Sequence, residues 1–446
     1  MYVYLPACGE DAGWSGGFRN GIETFSKAVE SNHRIYTLLV IFSIQTKITT
    51  KSQDFFFFFF EDYPEAVDLK MAASKSKLPT SMKAQFLDDF NKPYTLRSIP
   101  LPEPISPYDL LIRVDAASYC HTDAVLAAGE MLPNPPTLPH IGCHEFAGTV
   151  VALPPTPHDG PQRYAIGDRV GVPGRAFHPC GECFECQDTS RVDSDPAGYS
   201  VYCPHSKNHG ISGPGGFREY AVVDARQVAP IPESLSAVDT APLMCAGLTI
   251  FAALKRCGLR HGQRLGIMGC GGGLGHLGLQ FATKMGLRVI GVDVADEPLN
   301  LARSLNTGAH IVDARNEEAD DVVRQLGTED GKKDRGNMGI DAVLILPESQ
   351  KAFDYGIKLL RNHGKCVLVS FPSRGFHLSA GDIVFRDISV IGSLVGSNKV
   401  LREMLAFAAK HQIRSAIKRF SLADLNKLVE EYHRGGGGKL VVDMRL

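Results

Sequence analysis

No apolar run in this sequence is long enough to cross a bilayer: the longest, Ile35 to Ile44, contains Tyr36 and Thr37 and falls far short of the roughly 20 residues required. There is no long Lys/Arg run, and net charge is only −2, so the electrostatic footprint of a nucleic-acid or anionic-membrane partner is missing. No secretory signal is readable, which makes the 11 cysteines thiols for metal or packing rather than a disulfide scaffold, in a reducing, cytoplasmic compartment. Internal repeats are absent as well. What remains is an ordinary globular composition, 44% apolar and 22% charged, over 446 residues, too many for one hydrophobic core. Two packed domains and a small neutral partner are expected.

Residues 1–70 read differently from the rest. They show no sustained period and contain six consecutive phenylalanines, Phe55 to Phe60, which neither a helix nor a strand can bury on one face. The expectation is a leader that is disordered or not native, with the true start at Met71 or Met82. In residues 71–246, short β-rich runs (LLIRVDAA, FAGTVVAL) alternate with Pro and Gly turns, the pattern of a mostly antiparallel, barrel-like unit. Over 247–392 strands alternate with helices: RLGIM, a glycine cluster, LGLQFATKMG, LRVIGVDV, then DAVLIL and KCVLVSF. That order predicts a doubly wound parallel sheet, so the fold class is α/β. Residues 393–446 hold a helix opened by a Ser421/Asp424 capping box, with Leu425, Leu428, Val429 and Tyr432 on one face. Gly435 to Gly438 stop it, and KLVVDMRL is a closing strand that returns to the first domain.

The strongest local signal is Cys180, Cys183 and Cys186, followed by Cys203 across a polar insert, QDTSRVDSDPAGYSVY. Four thiolates suit a tetrahedral structural zinc, and each CxxC step brings two sulfurs to one side of a loop. The fourth position has a competitor in His205. A second set is dispersed: Cys120 in SYCHTD, His144 and Glu145 in GCHEF, and Cys245 in APLMCAG. Two thiolates and one imidazole are what a catalytic zinc needs, leaving a fourth position open, although Cys245 by itself reads as buried packing.

On these motifs the chain, from about Met82 to Leu446, resembles the zinc-containing medium-chain alcohol dehydrogenases, and within them the tetrameric microbial enzymes. The resemblance implies a GroES-like catalytic domain followed by a Rossmann domain. It implies two zinc ions per subunit: a catalytic one held by Cys120, His144 and Cys245, and a structural one held by Cys180, Cys183, Cys186 and Cys203. A cysteine at 245 points away from the polyol dehydrogenase branch, which usually has Glu there. The resemblance also gives Thr122 the substrate hydroxyl, Asp123 the orientation of the His144 ring, His121 the cofactor pyrophosphate, and Glu145 a role as an exchanging ligand. A homo-oligomer, tetramer or dimer, follows from the family alone. Cys143, Cys257, Cys270 and Cys366 pack, and Cys8 lies in the leader.

The loop GCGGGLG (Gly269, Gly271, Gly272, Gly273, Leu274, Gly275) sits between a strand and a helix, where backbone approaches phosphate closely. Strict GxGxxG spacing is met only by Gly273, Gly275 and Gly278. Asp293 ends the next strand, where it accepts from the ribose and repels a 2′-phosphate; no Lys or Arg follows in VADEP, so NAD is favoured over NADP. Two positions depart from the tetrameric pattern. Ala128 stands where many members carry a relay histidine, and Met131 where a bulky Trp narrows the pocket, which implies larger or branched alcohols. The expected activity is reversible hydride transfer between an alcohol and NAD. The alternatives are a zinc-free quinone or enone reductase on the same fold, and a non-catalytic sensor that binds zinc and dinucleotide.

Overall fold

The computed structural model describes residues 78–131, 137–154, 156 and 164–446; the expected leader, with its phenylalanine run and Cys8, lies outside the described residues. The chain opens with an antiparallel hairpin, β1 (Ser81–Phe86) and β2 (Thr95–Pro100). Next come β3 (Asp109–Tyr119), α1 (His121–Ala127), β4 (Glu145–Ala152), β5 (Arg169–Pro173), α2 (Phe184–Gln187), β6 (Tyr220–Asp224) and β7 (Ala229–Pro230). The run LLIRVDAA lies in β3, which is almost continuously buried because it pairs with both β4 and β6. A fully enclosed strand has no need of polar alternation, which is why this segment looks more apolar than a half-exposed one.

The chain then crosses into the second unit through α3 (Ala237–Thr240), a 3₁₀ turn (Ala241–Met244) and α4 (Ala246–Cys257), which stops at Gly258 with φ +61. There follow β8 (Arg264–Met268), α5 (Gly275–Lys284), β9 (Arg288–Asp293), α6 (Asp296–Ser304), β10 (His310–Asp313) and α7 (Ala319–Glu329). The series continues with β11 (Ile340–Ile345), α8 (Gln350–Leu359), β12 (Leu360–Leu368), α9 (Ala380–Arg386) and β13 (Ser389–Gly392). These six strands form one parallel sheet in the order β10-β9-β8-β11-β12-β13. β8, with every residue buried, sits at its centre. The chain winds outward one way from β8 and returns to wind the other way from β11, so the loop after β8 opens at a topological switch point, where doubly wound sheets bind ligands.

The C-terminal stretch divides between the two units. α10 (Asn398–Lys410) packs Val400, Leu401, Met404 and Leu405 into the same core as α4 and α5. After it, β14 (Ile417–Phe420), α11 (Leu425–His433) and β15 (Lys439–Asp443) return to the barrel-like first unit, whose sheet runs β14-β15-β3-β4-β5-β7 with β6 paired to β3. There β15 pairs antiparallel with β3, with Leu440 opposite Tyr119. Leu425 and Leu428 are buried in the barrel core, with Val429 and Tyr432 packed against it. The Ser421–Asp424 hydrogen bonds close the turn ahead of α11, and Asp424 itself is the residue that precedes the helix.

Two clusters cover the faces of the parallel sheet. One of them runs on through Leu243, Met244 and Leu248 to Ala116 and Ala147 of the barrel, so apolar packing is continuous across the junction. Both units belong to the compact body Ser76–Leu446. Among the described residues no single helix is long and apolar enough to cross a membrane. The bent pair Ala237–Met244 and Ala246–Cys257, which qualifies by length and composition, is core.

Candidate active site and metal clusters

Cys120, His144 and Cys245 come from three separate places. Cys120 follows β3 and caps α1, His144 immediately precedes β4, and Cys245 sits between the 3₁₀ turn and α4. Their ligand atoms all lie within 4.8 Å of one another. Asp123 links the first two: its Oδ2 accepts from the Cys120 amide (2.9 Å) and its Oδ1 from the Cys143 amide (3.0 Å), while Oδ1 lies 3.4 Å from His144 Nδ1. Gly174 backs the histidine so closely that a Cβ there would come within 2.4 Å of the His144 Cβ. The Cys245 thiol shares its proton with Cys120, which holds Cys120 well below the ordinary thiol range and Cys245 well above it, and Lys439 and His144 add to the effect on Cys120. Burial opposes protonation of His144, but Asp123 and Cys120 outweigh it and raise its pKa.

His144 Nε2 is buried with no hydrogen-bond partner. An orphaned imidazole nitrogen facing two thiols is costly unless a cation completes the set, so these three residues fit a metal with one position left open. Cys180, Cys183, Cys186 and Cys203 likewise lie with all four sulfurs within 4.8 Å. Cys203 Sγ is 3.7 Å from Cys180 Sγ and 3.9 Å from Cys183 Sγ, whereas His205 is exposed and outside the group. Backbone amides of Glu182 and Cys183 hold the Cys180 thiol down, to about 6, while burial pushes Cys186 up to about 12. Four sulfurs and no open side fit a closed tetrahedral ion.

Glu145 is fully buried, and its neutralising partner is a residue that sequence reasoning missed. Lys439, at the start of β15, forms a buried ion pair with Glu145 Oε1, and its Nζ also donates to the Tyr119 carbonyl (2.8 Å). Ser118 Oγ donates to Glu145 Oε1 (2.8 Å) and the Ala246 amide points at Oε2 (3.3 Å). Burial works against the Lys439 charge, but Glu145 and Cys120 raise its pKa, so the amine is charged at neutral pH. The only sequence signal was a lysine opening an apolar strand, which ordinarily marks an edge.

The glycine loop opens beside this cluster. A cavity of about 510 Å³ is lined by Cys120, His121, Gly273, Leu274, Tyr432 and Lys439 among others. Gly271 and Gly275 are packed against backbone, where a Cβ would meet Pro298 O at 1.9 Å and Gly269 O at 2.1 Å, but Gly272 faces almost open space. That vacant backbone at the start of α5 fits a dinucleotide pyrophosphate. Asp293 holds the loop, accepting from the Gly271 amide (3.0 Å) and the Val294 amide (2.8 Å). His121 Nδ1 is 2.7 Å from the Tyr432 hydroxyl, and its Nε2 is 3.5 Å from Glu348 across the cleft. Thr122 follows it in the first turn of α1, half-buried, and Met131 is buried in the barrel core. Ala128 closes α1.

The alcohol dehydrogenase GroES-like domain family matches residues 106–233, and the zinc-binding dehydrogenase family matches residues 273–410. An alcohol dehydrogenase of Geobacillus stearothermophilus is 34% identical over 365 residues, 82% of this chain and 99% of its own length. The chain belongs to the zinc-containing medium-chain alcohol dehydrogenases. Among solved structures, the alcohol dehydrogenase of Aeropyrum pernix is similar to this dehydrogenase at TM-score 0.68 and 29% identity, covering 81% of this chain and 99% of that one. A zinc-binding dehydrogenase of Sinorhizobium meliloti 1021, in its NADP-bound form, is similar at TM-score 0.68 and 28% identity, covering 82% and 100%. The enzyme is therefore an oxidoreductase of GroES-like and Rossmann domains, of a kind that uses zinc and a nicotinamide cofactor.

Proposed function

We propose that this enzyme catalyses reversible hydride transfer between a primary or secondary alcohol and NAD, with two zinc ions per subunit. The observation that carries the reading is the convergence of Cys120, His144 and Cys245, with Cys120 lining the glycine-loop cleft and a buried imidazole nitrogen lacking a partner. When bound, the metal supplies Lewis acidity to an alcohol oxygen and the dinucleotide accepts the hydride. The protein does the rest. Asp123 fixes the His144 ring and the Cys120 backbone so that the ligand set is assembled before substrate arrives. Thr122, at the start of α1, receives the substrate proton at Oγ1, and with Ala128 at the end of that helix solvent completes the path. Burial pushes the Glu145 carboxyl up, to about 8, and the ion pair with Lys439 works against that, so the two groups share a proton-sensitive contact behind the cluster from which Glu145 acts as an exchanging ligand. His121 meets the pyrophosphate, and the amides of Gly273 to Gly275 cradle it, those of Gly271 and Gly272 being held by Asp293 and the Gly269 carbonyl.

NAD is favoured over NADP by Asp293 and by the pairing of nearby arginine. Arg315, which approaches the same stretch, is committed to Asp296 (2.5 Å) and Asp313 (2.7 Å). The four thiols of the lobe hold the second zinc. Reduced thiols at both clusters suit a cytoplasmic setting, and all ten described cysteines are free. A homo-oligomer is supported by the outer edge of β13, beside which no further strand lies among the described residues, and by Phe371 (67% exposed), Val384 (71%) and Phe385 (87%) on the segment leading to it.

The test is NADH or NADPH formation by the full chain with primary, secondary and aromatic alcohols, before and after chelation, with metal content measured alongside. NAD-linked turnover abolished by chelator is expected. Metal retention and NADH binding without turnover on any alcohol would overturn the reading in favour of a sensor.

A further inference from the structure

The polar insert between the third and fourth thiols of the lobe does more than close a metal loop. It folds back on itself through the Gly198 amide, which donates to the Cys186 carbonyl (2.8 Å), and then reaches the dinucleotide-binding unit. Asp195, only 6% exposed, accepts from the first two amides of α10, Asn398 (3.1 Å) and Lys399 (3.0 Å). Ser397 Oγ takes the third, from Val400 (3.1 Å), so the helix start is fully satisfied from two directions. Lys399 Nζ donates in return to the Val192 carbonyl (2.8 Å). Asn398, itself buried, donates to the carbonyls of Gln227 (2.7 Å) and Val228 (3.1 Å), which belong to the barrel. One helix N-terminus thus joins the lobe, the barrel and the parallel-sheet unit.

The insert also grips α4. Lys255 in its last turn bonds Asp193 (2.8 Å) and Glu403 of α10 (2.5 Å). Gly396, just ahead of α10, packs so tightly on α4 that a Cβ there would lie 2.7 Å from Leu248. The residue that opens α4 is Cys245. On the barrel side, Arg175 donates twice to the Val201 carbonyl of the insert (3.2 and 3.1 Å). Burial pushes the Asp195 carboxyl up, to about 6, against the pull of the two amides, so its ionised form is held there at a cost in stability.

We infer that Asp195 is a positioning residue: through α10 and α4 it transmits the rigidity of the four-thiol lobe to Cys245, and so sets the geometry of the distant three-residue cluster. The link from lobe to cluster rests on the proposal that both bind metal; the contact of Asp195 with α10 does not. A plain structural role for Asp195 predicts loss of the lobe first. A positioning role predicts that the lobe stays intact while the three-residue cluster loosens.

The experiment compares wild-type enzyme, Asp195→Ala and Asp195→Asn, each with metal content measured and each also prepared with cobalt in place of zinc. In Asp195→Ala the thiolate-to-cobalt absorption of the four-thiol lobe is unchanged, amide exchange at residues 398–401 speeds up by about tenfold or more, and chelator strips the three-residue cluster several-fold faster. Asp195→Asn, which keeps one acceptor oxygen, falls between. Exchange and release rates within about twofold of wild type overturn the inference, as does release confined to the four-thiol lobe. Wild-type enzyme carrying metal in one cluster only would instead defeat the two-zinc reading, and the exchange rates at 398–401 would still decide the contact.

Discussion

The two thiol clusters of this dehydrogenase hold similar chemistry in opposite surroundings. The four-thiol lobe is local: three cysteines lie within seven residues, two of them only partly buried, and backbone amides provide the electrostatic help. The three-residue cluster is assembled across 126 positions, from Cys120 to Cys245. Cys120 and His144 are buried and Cys245 partly so, and the cluster depends on charged side chains brought from elsewhere: Asp123 for His144, and Lys439 for Glu145. A local loop can organise itself around an ion, whereas a dispersed site is only as good as the fold that gathers it.

The contrast predicts very different consequences for loss of a single ligand. His144→Ala should remove one metal and cost about 10³-fold or more in kcat/KM, with little change in the lobe. Cys186→Ser should remove the other metal, lower the melting temperature, and leave turnover per folded molecule within about tenfold. Metal analysis and kinetics on the pair check this, and equal loss of turnover in both would break the comparison.

Next in size is Lys439→Met. It leaves the buried Glu145 carboxyl, already pushed up to about 8, without the charge that opposes burial, and should destabilise the fold by about 3 kcal/mol or more by chemical denaturation. Glu145→Gln in the same background should recover much of that, because the uncompensated charge is gone.

Asp123→Asn is a smaller change, since the ligands themselves remain. Affinity for metal at the three-residue cluster should fall about 10- to 100-fold in chelator competition, with no change at the lobe.

The smallest effect is a dependence on pH. The carboxyl of Asp195 is raised in the folded state, so between about pH 4 and 6 the native protein binds a proton that the unfolded chain does not. Its contribution to stability therefore falls as pH rises through that window and is flat above it. The melting temperature of Asp195→Asn, measured relative to wild type, should climb by a few degrees from about pH 4 to 7 and then level off. A difference independent of pH would mean that Asp195 is ionised at its ordinary aspartate pKa.

Much of this architecture was legible from residue order. RLGIM, LRVIGVDV and DAVLIL became adjacent parallel strands because strands followed by helices can close only by crossover connections. The CxxCxxC lobe announced itself because its geometry is set by chain proximity. Less visible was the split fate of the C-terminal stretch: α10 has the same amphipathic pattern whichever core it enters, and it joins α4 rather than the barrel. The Ser421/Asp424 pattern predicts the start of the helix, but its hydrogen bonds close a turn that precedes it, since such a pair satisfies its amides equally well one turn earlier.

The sequence by itself determined the two-unit α/β plan, the glycine loop between strand and helix, and the thiol lobe, because each depends on neighbours within a few turns of chain. Only the tertiary structure decided that Lys439 lies against Glu145, 294 residues away, and that Asp195 caps α10, 203 residues away. Such contacts arise where a late strand or a long insert docks. No local period records them, because a buried charge is stabilised by whichever opposite charge or dipole the fold brings to it.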